Sequence, residues 1–287
     1  MVEKLTIRTY RGDLPQLRIT LYCLNKYWQG NRFISIACTK NWDLPDPDII
    51  NDVRPIVKEM LTDGWTVEFV PQLETAMGGY EEAQLYNFLM AMDDRFDDAI
   101  GIDSKDFLLK PCDLSDFKSN NQYNIARFKD SRIFSEFYRG FCDRYNIETL
   151  DLPLPIILTP YTFNSQQTKR IWDILLDKFG HDYTNWTMFP TGVEWCVYYV
   201  ETMLDTNPIV HFSDASSNWM PIGGFYKHPN IEEGLVQEKS FDLNTNTKFW
   251  KHHRQSNVPE AVEITARVLK NHGIDDHVID RWKNEIF

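Results

Sequence analysis

The chain has 287 residues, of which 43% are hydrophobic and 14% aromatic, so it can bury a large core and is expected to be an ordinary folded globular protein. Its formal net charge of −12 would repel the phosphates of a nucleic acid at long range. The sequence contains no apolar run of about 18 residues and opens directly into an alternating strand pattern. These features predict a soluble, cytoplasmic protein with no membrane partner.

Alternating strands and helices are predicted along the first hundred residues. Apolar residues alternate in the segments predicted as strands and recur every three or four residues in those predicted as helices. In chain order these are the strand 5–9, the helix 14–27, the strand 33–38, the helix 49–62, the strand 65–70, the helix 80–93 and the strand 99–102. This order predicts an α/β fold with a mostly parallel, Rossmann-like central sheet flanked by helices, whose ligands bind beyond the carboxyl ends of the strands.

Longer helices and short apolar strands are predicted in the rest of the chain. The helices are 131–145, 165–179, 194–204 and 259–271, and the clearest strands are 153–159 and 208–212. No internal repeat and no linker rich in Gly and Ser divides the sequence, so one domain with a C-terminal elaboration is predicted.

Five cysteines are scattered along the chain without a Cys-x-x-Cys pair. An odd number of isolated cysteines indicates neither a disulfide framework nor a thiolate zinc site. A reducing compartment fits this usage best. The positions are Cys23, Cys38, Cys112, Cys142 and Cys196.

A charged segment follows the fourth predicted strand, where residues 99–111 read AIGIDSKDFLLKP. Since the carboxyl ends of parallel strands meet at one edge, residues 103–106 are expected at the binding edge of the sheet. The alternative is an Asx-type turn at the strand end, with Lys105 and Asp106 in solvent.

Arg11, Gly12 and Asp13 follow the first predicted strand. They are therefore expected at the same edge of the sheet as the charged segment. The alternative for Gly12 and Asp13 is an ordinary turn in which Asp13 is the N-cap of the next helix. No Gly-x-Gly-x-x-Gly sequence appears here, which disfavours a Rossmann-type dehydrogenase.

Three stretches resemble known glycosyltransferases. GIDSKDFLLKP (101–111) resembles the nucleotide-sugar site of GT-A glycosyltransferases, in which an apolar strand ends in Asp-x-Asp or a variant and is followed by an apolar pair and Lys/Arg-Pro. GGYEEAQLYNFLMA (78–91) is similar to the helix before this strand in an uncharacterised glycosyltransferase-like family of bacteria and phages. TIRTYRGDLPQLRITLYCL (6–24) matches that family's first strand and helix, and the resemblance spans roughly residues 3–215.

The resemblance implies a single GT-A-like domain over residues 1–287, in which residues 1–113 bind a nucleotide sugar and residues 114–287 form the acceptor-binding half and a C-terminal tail. It implies a hexosyl- or pentosyltransferase that moves a sugar from a nucleotide-sugar donor to a hydroxyl group. The acceptor is a glycan, a small molecule or, as in phage-type DNA, a hydroxymethylated base, and a phage-encoded protein would act in the host cytoplasm. The alternative is a non-catalytic nucleotide- or carbohydrate-binding module with a degenerate Asp-x-Asp site.

The diphosphate leaving group of such a donor needs positive charge, supplied by a carboxylate-bound divalent metal or by Lys and Arg. In the Asp-x-Asp form the second carboxylate binds the metal, but Lys105 stands at that position here. Two alternatives follow. Either Asp106 binds Mn²⁺ or Mg²⁺ together with Asp103, or Lys105 itself neutralises the diphosphate in a metal-independent enzyme, which is the alternative that we favour.

The resemblance also implies which residues contact the donor. Asp13 would hydrogen-bond the ribose or the base, with Thr9 or Tyr10 stacking nearby. Tyr80 and Gln84 lie at i and i+4 of one predicted helix, so both would reach the sugar or the acceptor, although Tyr80 also fits the role of a core aromatic. The predicted donor-binding residues are Thr9, Tyr10, Arg11, Asp13, Tyr80, Gln84, Asp103, Ser104, Lys105, Lys251 and Arg254.

Glu194 and Asp103 are the catalytic candidates. Glu194 begins an aromatic-rich predicted helix, where inverting GT-A enzymes often place the carboxylate that takes a proton from the attacking hydroxyl. Thr191 and Glu194 also have the spacing of a capping box, in which the glutamate only satisfies backbone donors at the helix start.

A patch at residues 248–254, KFWKHHR, interleaves cations with aromatic residues in a segment expected to be a loop-rich, mobile tail. Lys248, Lys251 and Arg254 would contact a diphosphate or the acceptor, and with a DNA acceptor they would contact phosphates while the target base is flipped out. The alternative is a solvated face of a helix or loop. Further candidates are the histidines His211, His228, His252 and His253 for a metal or diphosphate, and the tryptophans Trp186, Trp195 and Trp219 as sugar or base platforms.

Overall fold

The computed structural model of the protein describes residues 2–40, 48–62, 64–125, 159–187, 194–214, 222–225 and 229–287. Only the backbone is described for Tyr80, Ile125, Glu194, Cys196, Asp214 and Ile222. The architecture is mixed α/β, as the sequence predicts, with a mostly parallel central sheet flanked by helices. None of the helices described is both long enough and apolar enough to cross a membrane.

The central sheet has five strands: β1 (Glu3–Thr9), β2 (Phe33–Cys38), β3 (Thr66–Val70), β4 (Asp98–Asp103) and β8 (Tyr161–Asn164). Their order across the sheet is β3-β2-β1-β4-β8. The first four are parallel, and β8 runs antiparallel to β4. The carboxyl ends of β1, β2 and β4 therefore meet at one edge of the sheet.

Helices flank the sheet and connect most of its strands. In chain order they are α1 (Leu14–Tyr27), α2 (Ile49–Met60), α3 (Gly79–Ala91), α4 (Ser165–Phe179), α5 (Glu194–Leu204), α6 (Ile231–Leu243), α7 (Pro259–Asn271) and α8 (Asp276–Ile286). In α1, the buried residues Leu17, Leu21 and Leu24 recur every three or four positions, which is why this segment folds as a helix with one apolar face.

Two large apolar cores form around these elements. One contains the alternate residues Leu5 and Ile7 of β1 with apolar residues from α1, α2, α7 and α8. The other contains Ala99 of β4 and Phe163 of β8 with residues from α3, α4 and α5. Because successive side chains of a strand point to opposite faces, β4 contributes Ile100 to the first core and Ala99 to the second.

A second, three-stranded sheet adjoins the carboxyl edge. Its strands are β5 (Asp106–Leu108), β10 (Ile222–Phe225) and β11 (Phe249–His252), in the order β10-β11-β5. β11 is parallel to β10 and antiparallel to β5. Only Ser104 and Lys105 separate β4 of the central sheet from β5 of this sheet, so the chain passes from one sheet to the other at the charged segment.

A third small sheet contains β6 (Lys118–Ser119), β7 (Gln122–Ile125) and β9 (His211–Asp214), with β7 in the middle. β6 is antiparallel to β7, and β9 is parallel to it. The predicted strand 208–212 corresponds to β9, which lies slightly later in the chain. The predicted helix 131–145 lies outside the described residues, as does the predicted strand 153–159 except for its last residue.

The prediction of a loop-rich tail is wrong. Residues 249–252 form β11, a strand whose four residues are all buried, because β5 pairs with one side of it and β10 with the other. Two helices in this region, α6 and α8, were also missed by the sequence analysis. The segment is therefore an ordered part of the fold and contributes side chains to the carboxyl edge of the central sheet.

Candidate functional site

The site lies at the turn where β4 of the central sheet passes into β5. The backbone N–H of Asp103 donates to Asp106 Oδ2 at 2.9 Å, which closes the turn. On the other side, Thr20 of α1 donates its hydroxyl to the carbonyl of Ser104 at 2.7 Å. Ser104 and Asp106 are completely buried and Lys105 is nearly so, which contradicts the alternative of a solvated Asx-type turn.

Asp13 connects the end of β1 to this turn. Its carboxylate accepts hydrogen bonds from Lys105 Nζ at 2.7 Å and from Ser104 Oγ at 3.2 Å, both at Oδ2. Asp13 stands at the N-cap position of α1, as the alternative predicts, but its side chain makes no cap hydrogen bond to the helix. Asp13 is 1% exposed, and its role in the structure is that of an ion-pair partner inside the site.

Lys251 reaches the same turn from β11. Its Nζ lies 2.7 Å from Asp106 Oδ1 and 3.3 Å from Asp103 Oδ2, with Thr159 Oγ1 at 3.5 Å. Lys105 Nζ lies 2.9 Å from the other oxygen of Asp103. Three carboxylates and two ammonium groups thus alternate in space; we call this set, Asp13, Lys105, Asp103, Lys251 and Asp106, the charged cluster.

The charges of the cluster set the protonation states of Asp103 and Lys105. Burial alone would raise the pKa of Asp103, but neighbouring cations hold it well below its usual range. In order of effect, these are Lys105, Lys251 and Arg8, the last lying beside Asp103 on the adjacent strand. Burial would likewise lower the pKa of Lys105, but the carboxylates of Asp103 and Asp13 raise it above its ordinary value. Lys105 is therefore a fixed cation at neutral pH.

Asp106 is the most enclosed carboxylate of the cluster, with no exposed surface. Burial raises its pKa, and the negative charge of Asp103 acts in the same direction. The ammonium group of Lys251 opposes this shift because it stabilises the ionised carboxylate. The ionised state of Asp106 therefore depends on Lys251 more than on any other side chain.

Tyr10 and Arg254 lie beside the cluster, on its more exposed side. The guanidinium of Arg254 is 4.8 Å from the centre of the Tyr10 ring, a cation–π distance, and its Nε is 4.0 Å from Asp13 Oδ1. Burial raises the pKa of the Tyr10 hydroxyl, as does the neighbouring Asp13, so the phenol is neutral. The face of Tyr10 proposed for base stacking is shared with Arg254.

The fit of a divalent metal was tested on Asp103 and Asp106. The structure brings these two carboxylates together, but Lys251 contacts both of them and Lys105 holds the remaining oxygen of Asp103. In the part of the chain that the structure describes, no group of three His, Cys, Asp or Glu side chains could hold a metal ion. These residues, in the arrangement present, do not fit a Mn²⁺ or Mg²⁺ ion.

Other predicted donor contacts are arranged differently. Thr9 is 2% exposed, and its carbonyl accepts the Thr39 N–H at 2.8 Å. Arg11 is exposed and pairs with Asp52 on α2, outside the charged cluster. Gln84 lies on α3 and is 1% exposed, and neither atom of its amide has a hydrogen-bond partner among the described residues.

Two predicted site residues, Glu194 and Tyr80, are described by their backbone alone. Glu194 is the first residue of α5, as predicted, but its side chain lies outside the described residues, together with Thr191. The side chain of Tyr80 lies outside them as well. Both residues keep the roles proposed from the sequence only as predictions.

The two predicted platform tryptophans within the described residues, Trp186 and Trp195, are core residues. Trp195 is 4% exposed and its ring stacks between those of Tyr161 and Tyr198. Trp186 packs against Trp172 in the same core. The prediction that Trp186 and Trp195 form sugar or base platforms is therefore wrong, and Trp219 lies outside the described residues.

The histidines predicted to contact a metal or a diphosphate have different surroundings in the structure. His252 is completely buried between Thr265 Oγ1 at 2.9 Å and Asn257 Oδ1 at 3.0 Å, and burial lowers its pKa to about 4. Burial also lowers the pKa of His253 to about 3, with Lys105 adding to the effect. His211 is exposed at the start of β9, and His228 lies outside the described residues.

The patch at residues 248–254 is not a solvated basic face. Lys248 donates to the carbonyl of Pro111 at 2.7 Å and pairs with Asp116 at 2.6 Å. Lys251 is buried in the charged cluster, and Arg254 lies against Tyr10. Lys248 and Lys251 are thus paired with groups of the fold, while the side chain of Arg254 keeps 30% of its surface exposed, so the patch does not form an extended basic surface.

Two contributors to the site were missed by the sequence analysis. Thr20 orients the turn through Ser104, and Arg8 places a positive charge beside Asp103. Arg8 directly follows Ile7, so its side chain points to the face of β1 opposite that of Ile7, and this alternation is its signal in the sequence. Its register opposite Asp103 becomes visible only once the two strands are paired. Thr20 carries no sequence signal, because a threonine in α1 is equally consistent with simple burial.

No family model matches the sequence, and no curated protein matches it. Among solved structures, the chain is similar to the crystal structure of mouse xyloside xylosyltransferase 1 in its apo form, with 11% sequence identity and a TM-score of 0.49. The similarity covers 90% of this chain and 100% of that chain. At this level a likeness assigns neither an activity nor a substrate, so the chemistry of the site is argued from its own residues.

Proposed function

We propose that the protein is a glycosyltransferase that moves a sugar from a nucleotide-sugar donor to a hydroxyl acceptor. The observation that carries this proposal is the charged cluster, which places fixed cations at the carboxyl edge of a mostly parallel sheet. Ligands of open α/β sheets bind at this edge. The sequence resemblance to nucleotide-sugar sites falls on the same turn, between β4 and β5.

In the proposed reaction, the bond between the anomeric carbon and the diphosphate oxygen breaks, and its electron pair leaves with the diphosphate. The acceptor oxygen forms the new bond to the anomeric carbon, and its proton passes to a general base, for which Glu194 is the proposed residue. Asp103 is proposed to contact the sugar or to hold Lys105 in place. The diphosphate requires preorganised positive charge where its own charge develops.

Lys105 and Arg254 are the proposed phosphate-contacting cations. Their side chains retain 11% and 30% exposure, so both can meet a ligand at the edge of the cluster. Lys251 is 6% exposed and faces inward to its carboxylates. Arg8 and Arg254 add positive charge beside Asp103 and Asp13, which favours an anionic donor at this edge.

A glycan or a small molecule is the proposed acceptor. The chain carries a formal net charge of −12, and the basic patch that would have favoured DNA is folded inward onto Pro111, Asp116 and the charged cluster. Duplex DNA binding normally depends on exposed Lys and Arg that displace counterions. A hydroxymethylated base is therefore the less favoured acceptor.

Donor binding should be detectable without a divalent metal. We expect one class of nucleoside diphosphate or nucleotide sugar to raise the melting temperature in the presence of EDTA, because a ligand that binds only the native state stabilises it by mass action. A Lys105→Gln variant is expected to lose this shift. Differential scanning fluorimetry with a panel of nucleoside diphosphates and nucleotide sugars measures both.

Lys118→Gln is the matched control. Lys118 is also a buried lysine that pairs with a carboxylate of β4, Asp98 at 2.8 Å, but at the opposite end of that strand. Its variant is expected to lower the melting temperature yet keep the ligand-induced shift. No shift from any donor in the wild type, or equal loss in both variants, would contradict the proposed site. Binding without release of nucleoside diphosphate would instead identify a binding module.

A further inference from the structure

Lys251 occupies the position between the two carboxylates where a divalent cation would be expected in an Asp-rich nucleotide site. Its single ammonium group contacts Asp106 Oδ1 and Asp103 Oδ2, one oxygen from each side chain. Thr159 Oγ1 lies at 3.5 Å from the same nitrogen. One positive group thus bridges two carboxylates, which is the role that a metal plays elsewhere.

The placement of Lys251 follows from the backbone as well as from the side chain. Lys251 is the direct cross-strand partner of Asp106 in the antiparallel pair formed by β11 and β5. The next residue, His252, donates its N–H to the carbonyl of Lys105 at 3.1 Å. Because the strand register holds Lys251 opposite Asp106, the ammonium group cannot leave the carboxylates by a shift of one residue without exchanging the two faces of β11.

We propose that Lys251 is a resident cation that replaces a divalent metal, and that the Asp103–Asp106 pair binds Mn²⁺ or Mg²⁺ only when this lysine is removed. The two carboxylates need a counter-charge because both lie within reach of one ammonium group, with Asp106 completely buried and Asp103 13% exposed. An ammonium group carried by the chain supplies that charge permanently. The carboxylate oxygens that a metal would use are then already taken, by Lys251 and by Lys105.

The test is metal binding by the Lys251→Met variant, which keeps most of the side-chain volume but lacks the charge. In EDTA this variant is expected to melt below the wild type, because the fully buried Asp106 and the neighbouring Asp103 have lost a shared counter-ion. Mn²⁺ at about 100-fold above its dissociation constant is expected to raise its melting temperature by about 5 °C. The wild type is expected to show no such shift, and electron paramagnetic resonance of free Mn²⁺ measures the binding directly.

Two further variants distinguish a metal in this site from binding elsewhere. Lys251→Arg keeps the positive charge and is expected to remain insensitive to Mn²⁺. The double variant Lys251→Met with Asp106→Asn is expected to lose the response of the single variant, because it lacks one of the two carboxylates.

Two results would overturn the proposal. One is a folded Lys251→Met protein that does not bind Mn²⁺. The other is a wild type that binds Mn²⁺ and loses this binding on Asp106→Asn, a comparison that remains available if Lys251→Met does not fold. The inference concerns the same site as the proposed function, but its readout is metal binding alone. If the Lys251 variants do not bind Mn²⁺ as expected, the nucleotide-induced thermal shift of the wild type is unaffected. If no nucleotide binds, the Mn²⁺ measurements can still be made.

Discussion

Asp13 lies between β1 and α1, with its side chain buried in the charged cluster. In the sequence it follows a strand and precedes a helix, which suits both an N-cap and a ligand contact. In the structure its carboxylate is buried and holds Lys105 and Ser104, both from the turn after β4. Its role is to position Lys105, since the two groups share a hydrogen bond of 2.7 Å.

The Asp13→Asn variant is expected to be less stable than the wild type by about 3 kcal/mol, because it leaves a buried lysine with one carboxylate fewer. Urea denaturation measures this loss. Asp52→Asn is the control, since Asp52 also pairs with a cation, Arg11, but on the surface. An exposed pair contributes less than about 1 kcal/mol, so equal losses in the two variants would contradict the structural role of Asp13.

At the scale of elements, the site depends on the close pairing of β10 and β11. Gly224 of β10 has a φ of +109°, and a Cβ at this position would lie 2.3 Å from the carbonyl oxygen of Lys251. Gly224 also donates its N–H to the side chain of Gln237 on α6. The glycine therefore allows β10 to approach the residue that enters the charged cluster.

Gly224→Ala is expected to destabilise the protein by more than about 3 kcal/mol, since a steric clash with backbone adds to the cost of a positive φ. It is also expected to weaken any ligand-induced thermal shift by displacing Lys251. Gly180→Ala provides a matched comparison, because Gly180 has a similar φ of +104° but nothing within 4 Å of the added Cβ. That variant is expected to lose only the cost of the backbone conformation, about 1–3 kcal/mol, by urea denaturation. Equal losses would show that the approach of the strands is unimportant.

Most elements whose apolar residues recur at a clear period could be predicted from the sequence. For several of them the first and last residues are also as predicted. Helices α1, α4 and α7 have the predicted bounds because each carries an uninterrupted apolar stripe. Strands β5 and β11 were missed because they contain three and four residues, too few to show a period, and because their partners are far away in the chain. Helix α8 was missed because its composition is mostly polar, with Val278, Ile279 and Trp282 as its buried residues.

The sequence predicts the position of the charged segment at the carboxyl edge of the sheet, but not which side chains contact each other there. The edge of the sheet follows from the order of strands and helices, and the charged residues after β4 are evident in the sequence. The bridge from Lys251 to Asp106 could not be predicted, because it follows from the pairing of β11 with β5. The same pairing buries residues 249–252, which lie in the patch predicted to contact a diphosphate or the acceptor.

At the scale of the whole molecule, two neighbouring histidines make the free energy of unfolding depend on pH. His252 and His253 follow Lys251 at the end of β11, and burial lowers the pKa of each, to about 4 and about 3. The unfolded chain has histidine pKa values near 6.5, so below that pH it binds more protons than the folded protein. Stability contributed by these neutral side chains is present above about pH 6.5 and is lost progressively as the pH falls toward 4.

We expect the free energy of unfolding to fall between pH 7 and pH 5 with a slope approaching about 1.4 kcal/mol per pH unit for each histidine. Burial raises the pKa of Glu82, which acts in the opposite direction, so a variant is needed to isolate the histidine contribution. Urea titrations of the wild type and of His252→Gln make this comparison. A wild-type slope that is no steeper than that of the variant would contradict a buried neutral His252.

The bridge from Lys251 to Asp106 joins residues 145 positions apart. Because of this separation, the bridge can form only late in synthesis of the chain. A nascent chain of about 200 residues already contains β1 to β4 and the pair formed by Asp13 and Lys105, and domains can begin to fold during synthesis. Asp106 has no counter-ion from Lys251 at that stage, because β11 has not emerged from the ribosome. The carboxylates can then stay hydrated until β11 pairs with β5 in the second sheet. An early-folding intermediate is therefore expected to be open at its functional edge.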